Sequence, residues 1–170
     1  MLMLKDYLQL CWFSGFPEDL PTDRKFLFIN LGVYLLLGLF IQGNISDPIE
    51  AFMQIFIEVF ITLIFMGALL LRDGSTYNFE RFLTAILVCE SFVYVLGLPI
   101  LFWYIFAKGG EFASYPIYIG MALMVWSIAI IAYLIKGLFG FDSRTGGSLS
   151  VLYFVLTYFG SFGILVLTGL

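Results

Sequence analysis

Five long, mostly apolar stretches follow one another along this 170-residue chain, at about 26–43, 51–71, 82–107, 116–137 and 149–169. A helix that crosses a bilayer needs about 20 such residues, because the hydrocarbon core is about 30 Å thick and a helix rises about 1.5 Å per residue. Turn residues separate the stretches at 44–48, at Asp73-Gly74-Ser75, at Gly109-Gly110 and at 142–147. None of these connections is long enough to hold a folded soluble domain. The pattern predicts an all-α integral membrane bundle of five transmembrane helices, forming a single domain over 1–170. Composition agrees, since 62% of the residues are hydrophobic and 12% charged, against about 45–50% and 25% in soluble domains. That much apolar surface excludes a water-soluble or disordered chain, and two cysteines exclude a disulfide scaffold.

Basic residues set the expected orientation. Lys5, Arg24 and Lys25 precede the first span, Arg72 and Arg81 flank the second connection, and Lys136 and Arg144 flank the fourth. Only Lys108 falls on the other side, so seven of the eight basic residues share one face. Basic residues beside short loops stay in the cytoplasm, which predicts an N-terminus inside and a C-terminus outside. Trp103, Tyr104, Tyr115 and Tyr118 then form an aromatic belt at the outer interface. The net charge of −4 comes largely from Glu18, Asp19, Asp23, Asp47 and Glu50, all in solvated rims, and implies no cationic partner. Nothing in the charge pattern suggests nucleic acid.

Residues 1–25 form the expected cytoplasmic arm. Within 2–13, Lys5, Asp6 and Gln9 share one helical face, while Leu2, Met3, Leu4, Leu8, Leu10, Trp12 and Phe13 cover the rest. Such a helix is expected to lie flat at the inner interface. Lys5-Asp6 inside this short stretch, and the lack of a small-residue cleavage site, argue against a cleavable signal. Ser14-Gly15-Phe16-Pro17 breaks the helix, and Pro17 and Pro21 are expected to keep the connector extended. That connector is either a plain elbow or a docking element for a partner, carried by Pro17, Asp19, Leu20 and Pro21. Cys11 in the arm and Cys89 in the third span are expected as two free thiols without a partner. Asn44-Ile45-Ser46 fits a glycosylation acceptor on the outer side.

Two acidic residues lie at bilayer depth, where a charge costs about 2.5–3.5 kcal/mol on insertion scales. Glu58 sits in the second span and Glu90 in the third, each about 12 Å from its helix start. Their depths differ by about 6 Å in a core of about 30 Å, so adjacent antiparallel helices would bring the carboxyls together. Polar and small residues mark an inward stripe on every span: Glu50, Gln54, Glu58 and Thr62; Asn30, Tyr34, Gly38 and Gln42; Glu90, Tyr94 and Gly97, with Pro99 expected to kink the helix just beyond; Ala122, Ala129, Ala132 and Lys136; Tyr153, Thr157, Gly160, Ser161 and Thr168. The expected polar cluster is Glu58, Glu90, Gln54, Thr62, Tyr94, Asn30 and Tyr34. Its glutamates are neutral and hydrogen-bonded, or handle protons or cations, or pair with a basic residue of a partner subunit. Lys136, near the end of its helix, is expected to snorkel to the headgroups instead.

The chain has no histidine, which removes His-ligated haem or metal and Ser-His or Cys-His catalysis. No phosphate loop, Ser-x-x-Lys, Asp-x-x-Asp or Cys-x-x-Cys motif occurs. A non-catalytic protein without metal or cofactor is expected.

Five spans, very short loops and an acidic, proline-bearing arm resemble the Yip1-type membrane proteins, most closely their small bacterial members. Pro17-Glu18-Asp19-Leu20-Pro21 matches a Pro-x-Asp-Leu-Pro element before the first span, and Phe82-Leu83-Thr84-Ala85, Gly97-Leu98-Pro99 and Trp126-Ser127 are also similar. The Asp-Leu-Tyr-Gly-Pro element of eukaryotic members is absent. The resemblance implies an interaction or scaffold component of a bacterial inner membrane, partnered by a membrane protein or by further copies of itself. A small transporter or ion-conducting subunit built on Glu58 and Glu90 is the alternative.

Overall fold

The computed structural model describes residues 2–74, 78–107, 110, 112 and 114–168. Ser75, Lys108, Gly109 and Gly169, which entered the reading of the loops, the charge bias and the last span, lie outside the described residues. Helix α1 covers Leu2–Gln9, α2 Arg24–Gly43, α3 Pro48–Asp73, α4 Phe79–Phe106 and α5 Tyr115–Phe139. A fifth rod is built from α6 (Ser143–Phe154), a π-helical turn (Val155–Gly160) and α7 (Ser161–Thr168). No strand occurs among the described residues. Five rods are long and apolar enough to cross a membrane, and their outward faces carry Phe28, Leu36, Phe60, Leu71 and Phe159. This is a multi-pass membrane protein with a lipid-facing apolar surface.

Local chemistry sets the helix ends. The Asp23 side chain accepts from the Lys25 amide at 2.9 Å and starts α2, satisfying an amide the helix itself leaves open. Pro48 opens α3, where its missing N–H costs nothing. Gly74 and Gly140 close α3 and α5 with φ of 71° and 62°, a left-handed geometry that suits glycine. The fifth rod starts at Ser143, earlier than the hydropathy suggested. Asp142 caps it by accepting from the Arg144 amide at 3.2 Å. Gly146, expected in a turn, lies inside α6, where a Cβ would sit 3.3 Å from the Ala132 carbonyl oxygen. There glycine serves close helix packing rather than a loop.

Helix α4 is the central rod. Residues 82–91 are buried without interruption, as expected for a helix apolar all round, and α2, α3, α5 and the arm all pack on it. The helix continues through Pro99 to Phe106.

The arm departs in part from expectation. The helix is amphipathic as expected but shorter: α1 stops at Gln9, a 3₁₀ turn covers Leu10–Trp12, and Phe13 turns left-handed at φ 56°. Tyr7, Leu10 and Cys11 are fully buried, so one face of the arm packs on the protein core. The Tyr7 hydroxyl donates to the Pro21 carbonyl at 2.7 Å. Burial pushes the Tyr7 phenol up to about 12, opposed by the Thr84 hydroxyl and the Arg81 charge. Trp126 Nε1 donates to the Cys11 carbonyl at 3.1 Å, and Arg81 Nε to the Leu20 carbonyl at 2.9 Å. Tyr133 bonds the Gly15 carbonyl. The connector is not simply extended either, because Pro17–Asp19 form a 3₁₀ turn. Pro17 packs so closely on Gly137 that a Cβ there would stand 2.7 Å from the proline Cγ.

Candidate functional site

The inward stripes of four rods meet around Glu58 and Glu90, which are 0% and 3% exposed. Spacing of four along α3 stacks Gln54, Glu58 and Thr62 on one face. Gln54 Nε2 donates to Glu58 Oε1 at 3.2 Å, and the Tyr94 hydroxyl reaches Glu58 Oε2 over a long 3.5 Å. The Ser161 hydroxyl, beside the Glu58 carboxyl, donates to the Tyr158 carbonyl at 3.0 Å. Glu90 accepts from the Tyr153 hydroxyl at 2.7 Å and from the Tyr34 hydroxyl. Tyr34 and Tyr94 stack with ring centroids 5.4 Å apart.

The second span packs on the third, as Tyr94 reaching Glu58 shows, and the fifth rod adds a further link between the two carboxyls. The Tyr153 oxygen that serves Glu90 lies 3.1 Å from Thr62 Oγ1, which donates to the Glu58 main-chain carbonyl at 2.9 Å. Tyr158 completes the cluster by hydrogen-bonding Tyr94. On a regular α-helix Tyr158 would lie about 140° round from Tyr153. The π turn over Val155–Gly160 widens the helix, so residues five apart come onto one side. Both tyrosines thereby face the glutamates.

Six of the seven expected cluster residues come together. Asn30 does not: its amide donates to the Phe26 carbonyl of its own helix at 2.8 Å. Tyr153 and Ser161 stood on a visible stripe but were not assigned to the cluster. Tyr158 left no signal at a helical period of 3.6. Of the expected docking residues, Pro17 and Leu20 are buried against the bundle, Pro21 is half-buried and Asp19 is exposed. Cys11 and Cys89 are free and buried, but they are not isolated from each other. Their thiols meet, and this contact lowers the Cys11 thiol below its usual range.

A cavity of about 500 Å³ adjoins the cluster. All five rods line it, and Gln54, Tyr94 and Tyr158 belong to both cluster and cavity. Gly97 and Gly120 leave the space open, and Phe154, Phe159 and Phe162 supply an aromatic wall. A smaller space of about 240 Å³ continues past Gly97 and Gly120 towards Tyr104 and Pro116. The opposite half of the bundle is filled by the buried run of α4 and by the arm. The space is an open one and lies away from the packed half of the bundle that holds the arm.

Among the described residues the one ion pair is Arg24–Glu80, 2.6 Å long, at the arm end of the bundle. No group of three or more His, Cys, Asp or Glu is placed to hold a metal ion among those residues. Hydroxyl and amide donors are therefore what surrounds the two carboxyls. Such an arrangement can hold a proton, or it can expose negative charge to a cation entering from the cavity. The chain matches no protein-family model, no curated protein and no solved structure.

Proposed function

We infer that the chain is a small, non-catalytic membrane carrier in which Glu58 and Glu90 exchange a proton or a cation. The observation that carries this reading is the convergence of both buried carboxyls beside a cavity lined by all five rods. Intramembrane acids without a basic partner are costly to keep unless they serve transport or structure. Gln54 and Tyr94, which bond the Glu58 carboxyl, also line the cavity, and this favours transport. The packed half that holds the arm supports a carrier with one side open at a time over a continuous pore. The charge bias further supports an N-terminus in the cytoplasm and a C-terminus outside, and the resemblance to small bacterial Yip1-type proteins supports a bacterial inner membrane as the host bilayer.

Purified protein in liposomes enclosing a pH dye tests this reading. Imposed proton or cation gradients should relax faster than in empty liposomes, and Glu58→Gln and Glu90→Gln should each slow that relaxation at least about tenfold. Relaxation no faster than in empty liposomes overturns the reading.

A second reading, the Yip1-like interaction or scaffold component, is favoured by Phe16, which is 75% exposed beside Trp12, Phe13 and Asp19 at the arm end. Cross-linking in native membranes should then recover one dominant membrane-protein partner, or a second copy of the chain, through Phe16. Recovery of neither removes this reading.

A further inference from the structure

We propose that the cavity beside Glu58 binds a lipophilic organic cation: an ammonium or phosphonium centre carried on an apolar, ring-sized body. This names the cargo of the carrier reading and rests on it for the role of the glutamates. Four observations converge. A volume of about 500 Å³ lies within the range of about 300–1,000 Å³ usual for small-molecule sites. The lining is apolar over most of its area, with Ile41, Val93, Leu123 and Met124 beside the aromatic wall. Such a surface rewards an apolar body and gives a hydrated inorganic ion nothing in return for its lost water. Tyr94, Tyr158 and Phe159 present rings to the space, and ring faces attract a desolvated cation.

The fourth observation is the sign of the charge. Among the described residues no lysine or arginine lines the cavity, and the polar groups at its boundary lead to Glu58 through Gln54 and Tyr94. Glu58 lies behind Gln54 and Tyr94 and not in the lining itself, so a cation in the cavity is favoured by a buried acid one side chain away and by the aromatic lining, and an anion by neither. The adjoining space past Gly97 and Gly120 offers a route from the end of the bundle that carries Tyr104 and Pro116.

The test uses two probes of one shape and opposite charge, tetraphenylphosphonium and tetraphenylborate, with the full-length protein in detergent micelles and calorimetry as readout. Tetraphenylphosphonium should bind saturably and at least about tenfold more tightly than tetraphenylborate. Glu58→Gln should weaken its binding at least about tenfold. Gly120→Leu should abolish it, because nothing lies within 4 Å of a Cβ at Gly120 and the added side chain takes up cavity space. Gly67→Leu makes the same change at a helical glycine with equally open surroundings outside the lining, and should bind as the parent does. A monodisperse elution profile for each variant separates lost binding from lost folding. Equal affinity for the two probes, or binding indifferent to both Glu58→Gln and Gly120→Leu, overturns the proposal. Proton relaxation without phosphonium binding removes the cargo and leaves the carrier. Selective binding without any flux keeps the site and removes the carrier.

Discussion

Replacing Gly137 with alanine tests whether the N-terminal arm is a built part of the bundle. The new Cβ would stand 2.7 Å and 2.8 Å from Pro17 Cγ and Cδ, ring atoms that cannot rotate away. Overpacking of this kind costs about 1–3 kcal/mol. Alanine also improves the helix propensity of α5 by about 1 kcal/mol, but that gain applies with the arm docked or released, so the docking equilibrium sees only the clash. At 1.4 kcal/mol per factor of ten, the released state rises about 5- to 150-fold. Cys11 reports this release, because it is fully buried only while the arm is seated. Maleimide labelling of native protein in micelles, followed by mass spectrometry, measures the open population when reclosing outpaces the reagent. Gly137→Ala should speed Cys11 labelling by that factor, and Gly67→Ala, with nothing within 4 Å, should leave it alone. A labelling rate unchanged within about twofold in Gly137→Ala would refute the packing of Pro17 on α5.

Three further outcomes are expected. Tyr153→Phe keeps the ring but loses the hydroxyl between Glu90 and Thr62; at about 0.6 kcal/mol per interhelical bond the two contacts amount to about 1.2 kcal/mol. That loss lowers the midpoint by about 2–5 °C, and a double-mutant cycle with Glu90→Gln that shows no coupling would count against the bridge. Arg24→Ala removes an ion pair whose arginine is 82% exposed, so stability should change by less than about 1 kcal/mol, and less still in high salt; a larger loss on chemical unfolding would contradict this. The Thr145 hydroxyl, then the Arg144 and Thr145 amides, hold the Asp142 carboxyl below its usual range. A depressed acid stabilises the fold above its unfolded value of about 3.9 and loses that contribution only as pH falls through the lower folded value. Its ¹³C carboxyl shift should therefore stay flat from neutral pH down to that region, and a midpoint at or above about 3.9 would be the wrong sign.

Hydropathy made the five rods legible because a lipid-facing helix must be apolar over its whole length. The ends of α2 to α5 fall within a few residues of expectation for the same reason. The early start of α6 was hidden, since Ser143, Arg144, Gly146 and Gly147 read as a loop until Gly146 is seen against Ala132. The cluster was legible where the helix is regular: Gln54, Glu58 and Thr62 repeat every four residues, as do Tyr34 and Gly38. Tyr158 was illegible because the π turn breaks the period used to find a face. The amphipathic arm was legible but its seat was not, because a helical wheel sees an apolar side and not what covers it. Leu10 and Cys11 need α4 and α5 for that, and those helices lie far along the chain.

That distance bears on how the protein is made. The arm settles onto Arg81, Trp126 and Tyr133, which are 61, 115 and 118 residues from their partners in it. Until α5 has been synthesised and inserted, Tyr7, Leu10 and Cys11 have no complete seat. A chain truncated before α5 should leave its N-terminal segment open to chaperones, proteases and thiol reagents. The arm is thus made before the helices that seat it, and its burial reports that α5 is in place.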